Sequence, residues 1–514
     1  MQRTADRLQL ILLMLGMSFF LLSSCPPVAA QTSAPKAPRN IVFILIDDLR
    51  YDTFGFMGHP FIETPHIDSL ARDGVHFQNA FVTTSLCSPA RASFLTGQYM
   101  HHHGVIDNGN LMKPSTITFP KLLQKSGYET AFIGKWHMGG STDQPRPGFN
   151  HWVSFRGQGT YFPKKQTINV NGKRVPRTKY MTDELTDYSV DFLKRQSAKK
   201  PFLLYLSHKG VHGLYDPADR HRDVYKNVKY DLPKSMADTA ENYRDKPMWL
   251  KNQRNSWHGV DFPYHGRSGQ TVSEMYRHYC EMILSIDDSV GTVLETLKEN
   301  NLADNTLVVF TSDGGHFWGE HGLIDKRCAY EESMRIPLLA YCPKLLPQKK
   351  VSALVANVDL GPTFLEMANI DIPKTMDGKS LLPFLVSNKR PADWRDDLFY
   401  EYYWEFNFPQ TPTTLALRTD RYKLIQYHGI WDIDELYDIK KDPQEMKNLI
   451  FDPVYRQTVS SMRNTLYQRL KESDGVSIPF GLKRSLGSNL RNATGSQPAK
   501  FSRRFIQAPQ ESSK

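Results

Sequence analysis

From residue 39 onward, short apolar runs alternate with longer amphipathic stretches, and the runs are continuous rather than two-fold periodic. Ile41-Val42-Phe43-Ile44-Leu45-Ile46 contains no polar position. A strand covered on one face alternates apolar and polar side chains, whereas one covered on both faces of a parallel sheet reads as an unbroken apolar run. Similar runs occur at Thr130–Ile133, Phe202–Leu206 and Leu307–Phe310. Between them lie helix-like segments, Phe119–Lys125 and Met282–Lys298, the second carrying Ile283, Ile286, Val290, Val293, Leu294 and Leu297 at helical spacing. Strands alternating with helices predict an α/β fold, a large mixed, mostly parallel sheet flanked by helices.

The rhythm breaks in the middle and at both ends. Within a main domain spanning 39–390, residues 211–270 are richer in Tyr, Trp, His, Arg and Pro and read as a long insertion. Beyond Arg390, Tyr400–Tyr403, Leu415–Tyr427 and Glu435–Asp438 predict short strands and Val454–Leu470 a helix, together a smaller C-terminal α+β subdomain over 391–474. Residues 475–514 are rich in Ser, Gly and Gln and carry Lys483, Arg484, Arg491, Lys500, Arg503 and Arg504, so a basic, disordered tail is expected. At the other end, Arg3 and Arg7 precede a largely apolar run from Leu8 to Leu22, then small residues: the layout of a secretory signal over 1–30, with 31–38 as linker. Val28-Ala29-Ala30 suits ordinary signal peptidase, whereas Leu22-Ser23-Ser24-Cys25 resembles a lipobox in which Cys25 would carry a lipid anchor. The run is shorter than the ~20 residues that span a bilayer, so no transmembrane span is expected. Export is expected, to a bacterial periplasm, to the outer membrane as a lipoprotein, or to the medium.

Composition narrows the class. A length of 514 residues implies two to four domains at roughly 100–200 residues each. With 40% hydrophobic, 23% charged and 12% aromatic residues, a disordered chain is excluded. Cys25, Cys87, Cys280, Cys328 and Cys342 are too few for a disulfide framework and form no CxxC pair, although one bridge among the last three stays open. A formal charge of +10 favours an anionic partner without choosing among nucleic acid, membrane headgroups and an acidic glycan.

In open α/β sheets, ligands sit beyond the carboxyl ends of the strands. The first run ends in Asp47-Asp48, the second leads to Lys135-Trp136-His137, the third to Ser207-His208 with His212 beyond, and the fourth to Thr311-Ser312-Asp313. If these strands are neighbours, the carboxylates, the lysine and the histidines meet on one rim. Taken singly, Asp48 or Asp313 reads equally well as a helix N-cap; repetition at several strand ends favours a site. Ionised carboxylates held together need a counter-charge, and oxygen ligands suit Ca²⁺ or Mg²⁺ better than a soft metal. Ser85 to Gly97 reads as a helix start, with Pro89 in the first turn and Gly97 at the stop. Cys87 then lies at a helix N-terminus, where the macrodipole, free N–H groups and Arg91 one turn along favour an anion.

Cys87-Ser88-Pro89-Ala90-Arg91 and its flanks resemble the first signature of the type I, formylglycine-dependent sulfatases, and Gly127 to His137 resembles the second. The resemblance continues through Asp47-Asp48, Ser207 to His212, Thr311 to Arg327 and Asn357 to Thr363, so it covers most of 39–450. It implies an alkaline-phosphatase-like fold and a sulfuric ester hydrolase. In that family a maturation enzyme oxidises the cysteine to formylglycine, and the hydrated aldehyde is the nucleophile. One hydroxyl attacks sulfur and displaces the alcohol; the second expels sulfate as the aldehyde re-forms. Carried over, Cys87 supplies the nucleophile and Arg91 holds it. Lys135, His137 and Lys326 contact the sulfate oxygens, and His212 is the general acid, with His208 the alternative. Asp47, Asp48, Asp313 and the modified Cys87 are the implied ligands of Ca²⁺, or else Mg²⁺. The family usually places an amide or His ligand after the third aspartate; here Gly314 and Gly315 follow, so water is expected there, with His316 as the alternative.

The chain is most similar to bacterial carbohydrate sulfatases of the N-acetylglucosamine-6-sulfatase kind, which implies a sulfated sugar or polysaccharide and no nucleic-acid partner. In the insertion, Arg254, Trp257 and His258, with Asp261 to His265 nearby, suit a sugar ring, and serve equally to close the insertion onto the core. His101-His102-His103 reads as solvated with His103 alone turned to the pocket, and Lys164–Lys179 as a solvated loop. Asn492-Ala493-Thr494 fits a glycosylation sequon inside the tail. The competing readings are a phosphonate or phosphodiester hydrolase of the same superfamily and a non-catalytic, exported glycan-binding protein.

Overall fold

All of β1 (Asn40–Ile46) is buried, and its successive side chains serve different cores. Val42, Ile44 and Ile46 join one hydrophobic cluster with Ile283, Ile286 and Val290, while Ile41, Phe43 and Leu45 join another with Phe94, Phe119 and Phe364. The two-residue period of a strand is therefore present, but both faces meet helices and the sequence shows no polar alternation.

The computed structural model describes residues 39–139, 141–261, 269–387, 390–430, 432–478, 491–492 and 495–496. The expected signal, lipobox and linker, and the tail beyond 478 apart from two dipeptides, lie outside the described residues. Ten strands form the main sheet: β1, β2 (Val75–Phe81), β3 (Glu129–Gly134), β4 (His151–Ser154), β5 (Thr167–Val170), β6 (Lys173–Pro176), β7 (Phe202–Ser207), β8 (Thr306–Ser312), β9 (Leu338–Tyr341) and β10 (Lys349–Ala356). Their spatial order is β10-β2-β9-β8-β1-β7-β3-β4-β5-β6. The apolar runs of the sequence are its centre: β8, β1, β7 and β3 are parallel neighbours, with Val42 opposite both Val308 and Leu204, and Leu204 opposite Ala131. Antiparallel pairing enters at β9 and along the β4-β5-β6 edge. The sheet is mixed and mostly parallel, as the alternation of elements predicts. Lys164–Lys179 is not a solvated loop throughout: it contains the β5–β6 hairpin, and Arg177 is buried against Glu184 at 2.9 Å.

One face of the sheet is covered by α1 (Cys87–Thr96), α2 (Phe119–Lys125) and α5 (Leu360–Met367), the other by α3 (Met181–Lys194) and α4 (Val272–Glu299). The helix expected at Met282 starts instead at Val272, where the Thr271 hydroxyl accepts from Glu274 N–H at 3.2 Å and the Glu274 carboxylate accepts from Thr271 N–H at 2.7 Å. This reciprocal cap fixes the first turn, and the buried face of the added segment carries Val272, Met275, Tyr276, Tyr279 and Cys280.

The last part of the chain forms an antiparallel sheet of β11 (Asp397–Tyr402), β12 (Thr413–Thr419), β13 (Tyr422–His428) and β14 (Glu435–Asp438), followed by α6 (Arg456–Glu472). Leu415, Leu417 and Leu424 pack on Val459, Met462 and Leu466 of α6. The opposite face, with Tyr400, Tyr402 and Tyr437, packs on Phe317, Tyr330 and Met334 of the main body. Cys280, Cys328 and Cys342 sit in three different clusters and are free, so the disulfide left open among them does not form. Among the described residues, no helix is long and apolar enough to cross a membrane.

Candidate active site

Parallel register delivers the ends of β8, β1, β7 and β3 to one rim of the sheet. Asp313 N–H donates to Ile46 O at 3.0 Å, His208 N–H to Leu45 O at 2.8 Å, and Lys135 N–H to Ser207 O at 2.8 Å, so each post-strand residue is held by the neighbouring strand. Adjacent residues of an extended chain point to opposite faces. Asp48 departs from extended backbone, with φ 62°, and both it and Asp47 present a carboxylate to the same place.

There, ligand atoms of Asp47, Asp48, Asp313 and Cys87 all lie within 4.8 Å of one another, and all four residues are buried. An overlapping group joins Asp47 and Cys87 with His212. Cys87 opens α1, and its thiol donates to Asp47 Oδ1 at 3.4 Å. Three carboxylates in so small a buried volume repel unless positive charge balances them, and an oxygen-dominated donor set fits a hard divalent cation. The protein brings cations of its own. Lys135 pairs with Asp47, Lys326 pairs with Asp48, and Arg91 Nε donates to Asp313 Oδ2 at 2.7 Å. Arg91 Nη1 also donates to Lys135 O at 2.6 Å and Ser207 Oγ at 2.7 Å, which fixes the guanidinium under the cluster.

The electrostatics follow from burial and these pairs. Burial alone would raise Asp47, but Lys135 above all, then His212, Arg91 and Lys326, holds it well below the usual carboxylate range. Asp48 is pushed up to about 7 by burial and by Asp47, Asp313 and Asp325, against the pull of Lys326. Burial, then Asp47, pushes the Cys87 thiol well up, despite the nearby lysines. The anion expected at this helix N-terminus is therefore not the thiolate: a buried thiol beside an ionised aspartate keeps its proton and is a poor nucleophile as it stands. His137 and His212 are both held neutral, chiefly by burial and then by Lys135. His137 Nδ1 lies 3.3 Å from Ser88 Oγ, and His212 Nδ1 lies 2.6 Å from Gly213 O with Nε2 3.7 Å from Asp48 Oδ2.

Other expected residues lie elsewhere. His208 turns behind the rim, with Nε2 3.0 Å from Ser289 Oγ. His316 lies 2.9 Å from the Tyr215 hydroxyl and 2.7 Å from Phe317 O, so both nitrogens are engaged away from the carboxylates. His103 is likewise taken up by Ser93 Oγ at 3.0 Å and Val105 N–H at 3.1 Å, while His101 pairs with Glu401 and His102 with Asp377. In the insertion, Arg254 is buried and grips both oxygens of Asp261 at 2.8 and 2.9 Å, so it closes the insertion on itself rather than facing a sugar. His258 is buried too, 3.2 Å from Asp325 Oδ2, bracing the residue before Lys326. Trp257 alone of the three is exposed, at 44%; Phe262 to His265 lie outside the described residues.

Residues not anticipated from sequence complete the site. Gln158 Oε1 accepts from Lys135 Nζ at 2.5 Å, Asn108 accepts from Ser88 N–H at 3.0 Å, and Lys209 lies with its ammonium 4.0 Å from the centre of the Tyr161 ring. Gln158, Asn108 and Tyr161 stand in connecting segments without a motif. Lys209 was legible, since it lies between Ser207 and His212 just past a buried strand.

Comparison with known proteins identifies the family. The chain matches the family model described as Sulfatase over residues 39–370, and that described as N-sulphoglucosamine sulphohydrolase, C-terminal, over 319–472. It is 32% identical to an N-acetylglucosamine-6-O-sulfatase of Bacteroides thetaiotaomicron, covering 90% of each chain. It is also 32% identical to the N-acetylglucosamine-6-sulfatase of Homo sapiens, over 77% of this chain and 73% of that one. A solved structure in complex with its substrate D-glucosamine-2-N,6-O-disulfate superposes with TM-score 0.78 at 30% identity, covering 86% of this chain and 99% of that one.

Proposed function

Because this chain belongs to the sulfatase family and is a sulfuric ester hydrolase, we propose that it removes a 6-O-sulfate from a glucosamine-type sugar, using residue 87 as nucleophile after its conversion to formylglycine. The observation that carries this reading is the placement of Cys87 at a helix N-terminus among three buried carboxylates and three paired cations. The sugar class is supported by relatives named as N-acetylglucosamine-6-sulfatases and by a neighbour bound to a glucosamine disulfate.

Asp47, Asp48, Asp313 and residue 87 would hold Ca²⁺ or Mg²⁺, which supplies charge that eases deprotonation of a hydroxyl at residue 87. Arg91, anchored on Asp313 and Ser207, orients the nucleophile. Lys135, His137 and Lys326 face the sulfate oxygens, where negative charge develops, and donors placed there before reaction stabilise the transition state. Attack on sulfur breaks the bond to the sugar oxygen; His212, neutral at rest with its proton on the nitrogen facing Gly213 O, takes up at Nε2 the proton that the hydroxyl of residue 87 loses and delivers it to that oxygen as general acid. Gly314 offers no side chain, and His316 is engaged elsewhere, so water would complete the ligand set. The signal-like segment supports export, with lipidation at Cys25 as one route of attachment, and maturation requires a formylglycine-generating partner.

Incubation of matured enzyme with defined sulfated mono- and oligosaccharides tests the proposal. Release of sulfate from glucosamine-6-sulfates is expected; faster cleavage of an aryl phosphodiester than of an aryl sulfate would overturn it. Intact-mass analysis of the peptide bearing residue 87 should show the aldehyde.

A further inference from the structure

One cation of the site is not paired with its carboxylates. Lys135 is paired with Asp47, Lys326 with Asp48 and Asp325, and Arg91 with Asp313 and Asp47. Lys209 has no such partner: it is 2% exposed, and its ammonium makes no ion pair or hydrogen bond with a described residue, resting instead on the face of Tyr161. Tyr161 is a fixed platform, since its hydroxyl donates to His212 O and its ring stacks on Tyr180 at 5.6 Å. A desolvated ammonium with only a ring face for company is an unfavourable arrangement unless an anion joins it. Lys209 stands between Ser207, whose hydroxyl accepts from Arg91 at 2.7 Å, and His212, whose backbone N–H donates to Lys209 O at 3.2 Å, which places it beside the reacting centre. Burial and then Lys135 lower its pKa to about 7, so an arriving anion would also secure its proton.

We propose that Lys209 is a further substrate-contacting residue, its ammonium binding an oxygen of the sulfate ester and, after cleavage, of the sulfate ion. The inference rests on the reading that sulfate esters are cleaved at residue 87. It assigns the site cation left unpaired among the described residues to the charged group that the reaction brings in, and it uses the same tyrosine that holds His212 to set the distance between the two.

The test compares matured wild type with Lys209→Met, Lys209→Gln and Lys209→Arg, measuring kcat and KM on a sulfate ester and inhibition by inorganic sulfate. A charge-assisted hydrogen bond to substrate corresponds to roughly 10- to 100-fold. The Met and Gln variants should lose about that factor in kcat/KM and in sulfate affinity, with the thermal midpoint unchanged or raised because a buried unpaired charge has gone, and Arg should recover part of the sulfate affinity. Sulfate inhibition within twofold of wild type in both neutral variants would overturn the inference and leave Lys209 as packing for Tyr161, whatever happens to kcat. Failure of matured wild type to hydrolyse any sulfate ester would overturn the functional reading itself, a result distinguishable from the first because it needs no variant.

Discussion

Arg91 offers the sharpest test of how the site is held together. Its guanidinium is 1% exposed, donates to Asp313, the Lys135 carbonyl and Ser207 at 2.6 to 2.7 Å, and has a further nitrogen 3.6 Å from Asp47. Arg91→Met keeps the stem and removes every one of these partners. Breaking a buried ion pair from one side costs about 3–5 kcal/mol, because the remaining carboxylate is left desolvated and uncompensated. At about 2 cal/mol/K per residue over roughly 440 ordered residues, the unfolding entropy is near 0.9 kcal/mol/K, so the thermal midpoint should fall by about 3–5 °C. If the same guanidinium orients the nucleophile, kcat should fall by about 10²–10³, the scale of losing one preorganised donor. Calorimetric melts and steady-state kinetics read the two effects separately. The double variant Arg91→Met/Asp313→Asn distinguishes their causes: neutralising the orphaned carboxylate should restore part of the stability and none of the activity, since Asp313 is itself a candidate cation ligand. A midpoint within 1 °C of wild type, or recovery of turnover in the double variant, would refute the reasoning.

Cys87→Ser should bind substrate and become sulfated once, then stall, because a single hydroxyl cannot expel sulfate by re-forming a carbonyl; undiminished multiple turnover would contradict the diol mechanism. His208 and His316 are fully buried, and burial pushes each to about 3, below the unfolded value near 6.5. Their contribution to stability is thus present above about pH 6.5 and lost as pH falls toward 3, at up to about 1.4 kcal/mol per pH unit for each. Denaturant titrations between about pH 7 and pH 5 should show that slope, and Gln at both positions should flatten it. At Gly315 an added methyl would overlap the Glu332 carbonyl oxygen, whereas at Gly314 it would meet only Lys326 Cδ at 3.7 Å. Gly315→Ala should lose about 1–3 kcal/mol of stability in chemical unfolding and Gly314→Ala almost none. Gly314→Asn should tighten divalent-cation binding in calorimetry; unchanged affinity would show that this position does not face the cation.

How much of the site is legible in the sequence depends on whether a residue's partner is set by the strand order or by an irregular segment. The parallel centre of the sheet follows from unbroken apolar runs, and once β8, β1, β7 and β3 are neighbours their terminal residues have no other place to go. Asp47, Asp48, Lys135 and Asp313 are therefore readable as one rim from the order of residues alone. The orientation of Asp48 is not, because a left-handed backbone at a single aspartate leaves no periodic trace. The insertion shows the opposite limit. Arg254, Trp257 and His258 have the chemistry of a sugar subsite, but the first is taken by Asp261 and the last by Asp325, partners that depend on how irregular chain folds back and not on any spacing. The same reasoning separates the histidines: His137 and His212 follow buried strands, the first meeting Ser88 beside Cys87 and the second Asp48, whereas His101, His102 and His103 form a short helix whose side chains diverge to Glu401, Asp377 and Ser93. Residue type proposes chemistry, but only attachment to the end of a buried strand makes that chemistry converge. By that criterion Lys209, two residues past β7, belongs beside Lys135 among the cations that strand order alone delivers to the rim.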